Sequence, residues 1–589
     1  MIRGVLDYTG VWATPKLINR KPILNEIRKA VRDRGAPYVF YITGQGGMGK
    51  TFLLREVLRR LREGPWSEPE VLAAQDVVDL YHPPVHVVEG LCRAIRAVLR
   101  PGLGYFADFQ QERERLARVR RDLDLRDIGW QEERMLRAFQ EDFRSLEDDY
   151  RVVLAFDTAE VLLYEPDPVQ QSLALAPQGI EARGWLLERF LPSLRNTVVL
   201  IAGRPGPPRL REDLRAALGE RLIERTLGPL EEPDSLDYFQ TVAQVAREQG
   251  SEVVAARLEA IPEETRRVIH LYTEGRPILL ALTIDYLAVA DRLLPEVQTP
   301  LEEARAMSPD QLRQVRERLE REIVRAIQET GRPADEAVRA LAWTRRGMNA
   351  RLLARLLETT EEEAKHLLES LRPLSFVKIR PADNRVFLQD EMYALLERHV
   401  LSRLPEARAR WVYDTILQFY DEEIEEARRE LQRLQADPGA PLDRLERTRV
   451  RLQNALAERV HYALRRDPEQ GFEAYYRAAE ETVLSYHRAL DMQLRVELLE
   501  FLEQAPEEAR KVIADRAAWD LGVRWVKRSI VLARYDEAVQ IAARLRAEAA
   551  DLMERLGPVA EAELSVWEGW ARTYAGQGLD LAERRLRTA

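Results

Sequence analysis

From residue 38 onward the spacing of apolar positions changes character twice. Up to about 227, short runs of β-branched and aromatic residues alternate with longer stretches whose apolar residues recur every three or four positions. This alternation predicts an α/β domain on a mostly parallel sheet, with strands at 38–43, 73–80, 151–157, 197–202 and 222–226. Between the second and third runs, residues 107–149 interleave Arg and Glu. Yet Leu116, Val119 and Leu123, then Met135, Phe139 and Phe143, keep helical spacing. Long surface helices are expected there rather than disorder.

After about 230 strand signals fade. Residues 233–292 predict a small helical bundle whose last apolar helix opens at Gly275-Arg276-Pro277-Ile278, because proline suits a first helical turn. Helices are expected at 334–343, 349–357 and 360–371, then two short strands, Phe376–Arg380 and Arg385–Leu388, joined by Pro381-Ala382-Asp383-Asn384. Three helices and a two-stranded wing describe a winged-helix domain. Beyond 402 the pattern is helical, broken at Asp437-Pro438-Gly439-Ala440-Pro441. Two segments there have the form of tetratricopeptide-type helix pairs: Gly522 and Trp525 before Arg534–Ala538, and Gly569, Trp570 and Tyr574 before Gly578–Ala582. Ala538 and Ala582 are 44 residues apart, longer than the ~34 of the standard repeat, so the copies are irregular.

The expected organisation is therefore an N-terminal extension (1–16), a P-loop nucleotide-binding domain (17–230), a helical lid (231–330), a winged helix (331–402) and a C-terminal α-solenoid of tetratricopeptide type (403–589). The chain stops partway through the second helix of a pair without a polar capping element, so a truncated solenoid is expected.

Composition removes several function classes. With 89 basic against 99 acidic residues the net charge is −10, which argues against generic nucleic-acid binding. Cys92 is the single cysteine, so an intramolecular disulfide is excluded. The chain contains no apolar run of the ~18 residues a membrane span needs, and its start lacks a signal-peptide core. A cytoplasmic protein without a membrane partner is expected.

The chemistry concentrates at Gly44-Gln45-Gly46-Gly47-Met48-Gly49-Lys50-Thr51, a full G-x-x-x-x-G-K-[ST] loop. A strand precedes it and a helix beginning Phe52-Leu53-Leu54 follows, which is the setting the motif requires. Backbone N–H groups of such a loop curl round phosphate oxygens, Lys50 reaches the β- and γ-phosphates, and the Thr51 hydroxyl holds Mg²⁺. Lys50 is the only lysine between 29 and 365 in a chain where Arg fills nearly every basic position, and a guanidinium cannot replace that compact ammonium. Val152-Val153-Leu154-Ala155-Phe156-Asp157 is a buried strand ending in an acid, the Walker B pattern, with Asp157 on the Mg²⁺ side. No acid follows directly. Glu160 is the candidate for orienting water, alongside a plain role at a helix start. Arg204, at the end of the 198–202 run, is a candidate contact to a γ-phosphate. ATP or ADP with Mg²⁺ is the implied cofactor.

Together these residues resemble the STAND signal-transduction NTPases, the class holding the NB-ARC proteins of plant resistance and apoptosis, the NACHT proteins and bacterial regulators. The loop has that family's G-x-G-G-x-G-K-T form. Leu17-Ile18-Asn19-Arg20 is similar to its h-h-G-R segment, with Asn19 in place of Gly, which implies that Ile18 and Arg20 border the adenine. Gly203-Arg204 resembles its sensor arginine, and Gly275-Arg276-Pro277-Ile278 its G-x-P-h motif, whose Pro packs on the base. Leu388-Gln389-Asp390 falls where the family has h-H-D. Gln389 would then face the β-phosphate of ADP with an amide that carries no charge. The resemblance covers roughly 17–400.

It implies a switch: an ADP-bound closed state, conversion to an ATP-bound homo-oligomer when a protein or small-molecule trigger reaches the C-terminal helices, and slow hydrolysis as reset. Its setting would be bacterial signalling, defence or transcription control. With 16 residues before Leu17 in this sequence no effector domain is expected there, and an output beyond 589 or on another chain is expected. The alternative is a DNA-acting AAA+ ATPase of the origin-recognition type, which also pairs a P-loop domain with a winged helix. Against direct DNA contact, the would-be recognition helix begins Thr360-Glu361-Glu362-Glu363, setting three carboxylates where a duplex has phosphates.

Overall fold

The computed structural model describes residues 20–588 except 101, 103, 123–124, 164–179, 207, 249, 290–293, 329–333, 372–375, 381–383, 438, 485–486 and 532. Leu17, Ile18, Asn19 and most of the 381–384 turn therefore lie outside the described residues.

Apolar runs covered by helices on both faces form the strands of one parallel sheet. These are β1 (Tyr38–Thr43), β2 (Val71–Ala73), β3 (Val78–Asp79), β4 (Arg151–Asp157), β5 (Thr197–Gly203) and β6 (Leu222–Thr226). Their order is β2-β4-β5-β1-β6, with β3 pairing β4 beyond β2, so β5 separates the P-loop strand from the Asp157 strand. The single strand expected over 73–80 is two. Gln75 and Asp76 break it: the Gln75 N–H leaves the ladder for the Val98 carbonyl, and the Asp76 carboxylate accepts both the Val77 N–H at 2.8 Å and Arg55 Nε at 2.9 Å. Both pieces still run parallel to β4, Val71 opposite Arg151 and Val78 opposite Phe156.

The charged 107–149 segment forms two long helices, Ala107–Asp122 and Leu125–Asp149. Their inward stripe is aromatic: Phe139 stands 5.2 Å, centroid to centroid, from both Phe106 and Phe109. Four helices, Glu232–Glu248, Glu252–Glu259, Glu263–Thr273 and Pro277–Val289, follow the sheet. After two more helices, Leu301–Ala306 and Pro309–Gln328, come helices Ala334–Trp343, Ala350–Leu357 and Glu361–Leu371 and the antiparallel pair β7 (Val377–Arg380) and β8 (Arg385–Leu388). These regions share one apolar core, which runs on to Tyr462.

Nine further helices lie between Glu406 and Thr588 among the described residues. Apolar residues from Val460 to Leu521 belong to the core of the sheet domain, whereas the last helices, from Ala518 on, enclose a core of their own. In both expected helix pairs a glycine admits a leucine of the second helix: a Cβ would lie 2.7 Å from Leu545 at Gly522 and 2.7 Å from Leu586 at Gly569. Among the described residues no helix is long and apolar enough to cross a membrane.

Candidate nucleotide site

The site forms at the carboxyl ends of β4, β5 and β1. β1 ends at Thr43, and the chain turns through Gly44–Gly49 into the helix Lys50–Arg62, whose first turn holds no acidic residue. Gly49 caps that helix at φ +84°, a conformation glycine alone adopts without strain. Gly44 is required for closeness: a Cβ there would lie 2.7 Å from the Leu227 carbonyl oxygen. Met48 is buried and Phe52 half-buried beneath the loop, while Gln45, Gly46 and Gly47 stay accessible.

Lys50 folds over this loop, its Nζ donating to the carbonyls of Gly44 at 2.7 Å and Gln45 at 2.9 Å. The Thr51 hydroxyl donates to Asp157 Oδ2 at 2.5 Å. The two groups expected to share Mg²⁺ are thus in direct contact, and hydroxyl plus carboxylate is the hard oxygen set that this ion selects.

Glu160 and Arg204, proposed separately from sequence, meet across the ends of β4 and β5. Glu160 Oε2 accepts the Arg204 N–H at 3.0 Å, and the guanidinium Nε stands 3.7 Å from Oε1. Burial raises the Glu160 carboxyl above its ordinary value, against the opposing pull of these partners. A side chain at Gly203 would crowd Glu160 Oε2 at 2.9 Å.

Arg20 ties the loop to the segment after β6, donating to the carbonyls of Met48 at 3.3 Å and Gly228 at 2.8 Å. Burial lowers its guanidinium from the ordinary value, with Asp234 opposing. Two residues beyond Gly228, the Leu230 N–H donates to the Gly275 carbonyl at 2.8 Å. Gly275, at φ +63°, would place a Cβ 2.2 Å from the Leu230 oxygen. Pro277, the first residue of its helix, follows the turn that the Leu230–Gly275 bond ties to the segment after β6. Gln389 precedes the helix Asp390–His399. Its N–H donates to the Phe376 carbonyl and its carbonyl accepts from Met392 and Tyr393, all between residues 376 and 393.

Sequence reasoning missed Asp79. It ends β3 directly opposite Asp157 in the parallel register. Its Oδ1 accepts the Thr158 hydroxyl at 3.1 Å and the Tyr81 N–H at 3.0 Å. Burial raises its carboxyl, Asp157 adds to the shift, and Arg380 of β7 opposes it. The signal was present, since Val77-Val78-Asp79 repeats the apolar-apolar-acid ending of Ala155-Phe156-Asp157.

Residues 16–188 match a family model described as an AAA ATPase domain. No curated protein matches the chain. Among solved structures, the Aeropyrum pernix ORC1 protein in complex with DNA is 17% identical over 69% of this chain and 98% of its own, with a TM-score of 0.28. Drosophila ORC bound to DNA is 15% identical over 66% of this chain and 86% of its own, at 0.31. The Aeropyrum pernix ORC2 protein in ADPNP–ADP complexes is 14% identical over 66% and 96%, at 0.27. Likenesses with TM-scores this low carry no statement about function.

Proposed function

From the premise that the chain carries a P-loop NTPase domain of the AAA kind, we propose that it is an ATP/ADP-controlled switch of the STAND class. One observation carries the reading: helices between 460 and 521 are built into the core of the nucleotide-binding sheet, so that sheet and C-terminal region cannot move independently. A ligand shifts such an equilibrium only by its difference in affinity between the two states, and a swing from 1:99 to 99:1 takes ~10⁴-fold.

In this reading Lys50 leaves the Gly44 and Gln45 carbonyls for the β- and γ-phosphates, and the backbone of Gln45–Gly49 supplies N–H donors. Thr51 and Asp157 hold Mg²⁺, whose charge would screen the phosphates. Arg20 and Pro277 border the base from the P-loop and lid sides of one hinge. Glu160 is engaged by Arg204, so it orients water poorly until Arg204 is drawn to a γ-phosphate. Hydrolysis is then slow and serves as reset. Gln389 as the ADP contact, a trigger at the C-terminal helices and oligomerisation in the ATP state complete the proposal.

Nucleotide extracted from the purified protein tests it. ADP is expected, and a non-hydrolysable ATP analogue with trigger should raise the mass seen by light scattering. Nucleotide-free protein that stays monomeric overturns the switch. Here the Glu361–Leu371 helix does not grip DNA, its first turn holding the exposed Glu361, Glu362 and Glu363. An electrophoretic shift at low salt that fades along the log-salt slope would instead favour the DNA-acting ATPase.

A further inference from the structure

Far from the phosphates by sequence, three segments meet around one guanidinium. Arg346 follows the helix Ala334–Trp343, and its side chain is 1% exposed. Its Nη2 pairs with Glu497 and, at 2.7 Å, with Glu500 Oε2, both on the C-terminal helix Arg488–Gln504. Its Cζ lies 4.5 Å from the ring centroid of Tyr81, the second residue after β3. The Tyr81 hydroxyl donates to the other Glu500 oxygen at 2.8 Å. His461 closes the cluster, its Nδ1 at 2.9 Å from Glu497 and 3.4 Å from Arg346 Nε. Charges buried this completely contribute little net stability compared with apolar packing; their best-attested use is to fix one arrangement of parts.

The arrangement fixed here reaches the Mg²⁺ end. From Glu500 the hydrogen bonds run through the Tyr81 hydroxyl, the Tyr81 N–H to Asp79, and the Thr158 hydroxyl to that same Asp79 oxygen. They continue from the Thr158 N–H to Asp157 Oδ1 at 3.0 Å, and Asp157 accepts Thr51. Thr158 sits at φ +64°, a left-handed conformation that a β-branched residue keeps only when its surroundings hold it. Asp79 is that hold, and Tyr81 fixes Asp79.

Resting on the nucleotide-switch reading, we infer that Tyr81 is a positioning residue for the Mg²⁺ end of the nucleotide site, held in place by Glu500 of the C-terminal helices and Arg346 of the turn between helices Ala334–Trp343 and Ala350–Leu357. When the C-terminal helices move, Tyr81 shifts, Asp79 releases Thr158, and Asp157 loses its alignment with Thr51. The arm thus controls how well the site holds the metal rather than how well it holds the phosphates.

The test is titration calorimetry of the full chain with ADP, in Mg²⁺ and in EDTA. The readout is the ratio of the two affinities, which a loss of folded protein would not change. Tyr81→Phe, which keeps the ring under Arg346 and removes only the hydroxyl, should reduce that ratio about tenfold, within the usual range of coupling between sites. Glu500→Gln should reduce it similarly, and the double variant no further. Either single variant with the wild-type ratio overturns the inference, as does a wild-type chain with equal affinity in Mg²⁺ and EDTA. A wild-type chain that binds no ADP overturns the nucleotide reading itself. Hydrogen exchange on the unaltered protein gives an independent check. Addition of Mg²⁺ to the ADP complex should change protection at 78–82 and at 496–501 together, and change at the P-loop alone would overturn the coupling.

Discussion

Arg204 and Arg346 make the same kind of contact, guanidinium to glutamate, in opposite surroundings. The Arg204 side chain is 49% exposed and stands 3.7 Å from Glu160, while Arg346 is 1% exposed between two carboxylates. Water can replace Glu160 at Arg204 whenever a stronger anion or a fluctuation draws it away, so that pair can open. Arg346, 1% exposed, has little access to water that could take the place of Glu497 and Glu500, so that cluster opens far less readily. The lesson concerns mobility: one pair is a contact that solvent or an anion can open, the other a joint that locks three parts of the chain.

The largest expected effect breaks the joint. Arg346→Ala leaves the buried carboxyl groups of Glu497 and Glu500 on the Arg488–Gln504 helix without their cation, and should lower stability by about 3–5 kcal/mol in urea unfolding. A change below 1 kcal/mol would mean that water reaches the pocket, and the contrast with Arg204 would vanish. Lys50→Ala comes next. Its ammonium bonds the Gly44 and Gln45 carbonyls, and without it nucleotide affinity should fall by about 1.5–3 kcal/mol in calorimetry. Unchanged affinity would end the P-loop assignment.

The third prediction uses pH. Burial pushes the Glu497 carboxyl from 4.5 to about 8. The folded chain therefore holds that proton more tightly than the unfolded chain, and the contribution is complete below pH 4.5 and lost as pH rises to about 8. Burial pushes His86, in the same junction, from 6.5 down to about 3. Its contribution is complete above pH 6.5 and lost as pH falls toward 3. Each slope is at most about 1.4 kcal/mol per pH unit. Melting temperature should decline between pH 6.5 and 8 in the wild type and less in Glu497→Gln; parallel curves would remove Glu497 from the account. Smallest of all, Arg204→Ala should alter stability by no more than about 1 kcal/mol, and its effect should appear in the ATP hydrolysis rate.

The site and junction residues were not equally visible in the sequence. Lys50, Thr51 and Asp157 were legible because local spacing encodes them: a loop between a strand and a helix, and an acid closing an apolar run. Glu160 and Arg204 were legible singly, but their pairing depends on β5 lying beside β4, which no local pattern records. The strand at 73–80 misled because Val77-Val78 continues the apolar run, while Gln75 and Asp76 find side-chain and backbone partners outside the ladder. Asp79 was hidden by that error. The Arg346 junction was beyond reach, since it joins residues 81, 346, 461, 497 and 500, each ordinary in its own neighbourhood. The helices and hairpin at 334–388 fell within one residue of expectation because turns and apolar stripes bound them closely.

The folded-back position of Lys50 also makes the sheet domain self-reporting to amine chemistry. Lys21, Lys29 and Lys50 are the only ammonium side chains between Lys16 and Lys365, and only Lys50 lies on the phosphate loop. An acylating reagent applied to the whole protein would thus read nucleotide occupancy at one peptide, with Lys21 and Lys29 as internal references for dose. No probe needs to be introduced, because arginine elsewhere in the domain keeps the background silent.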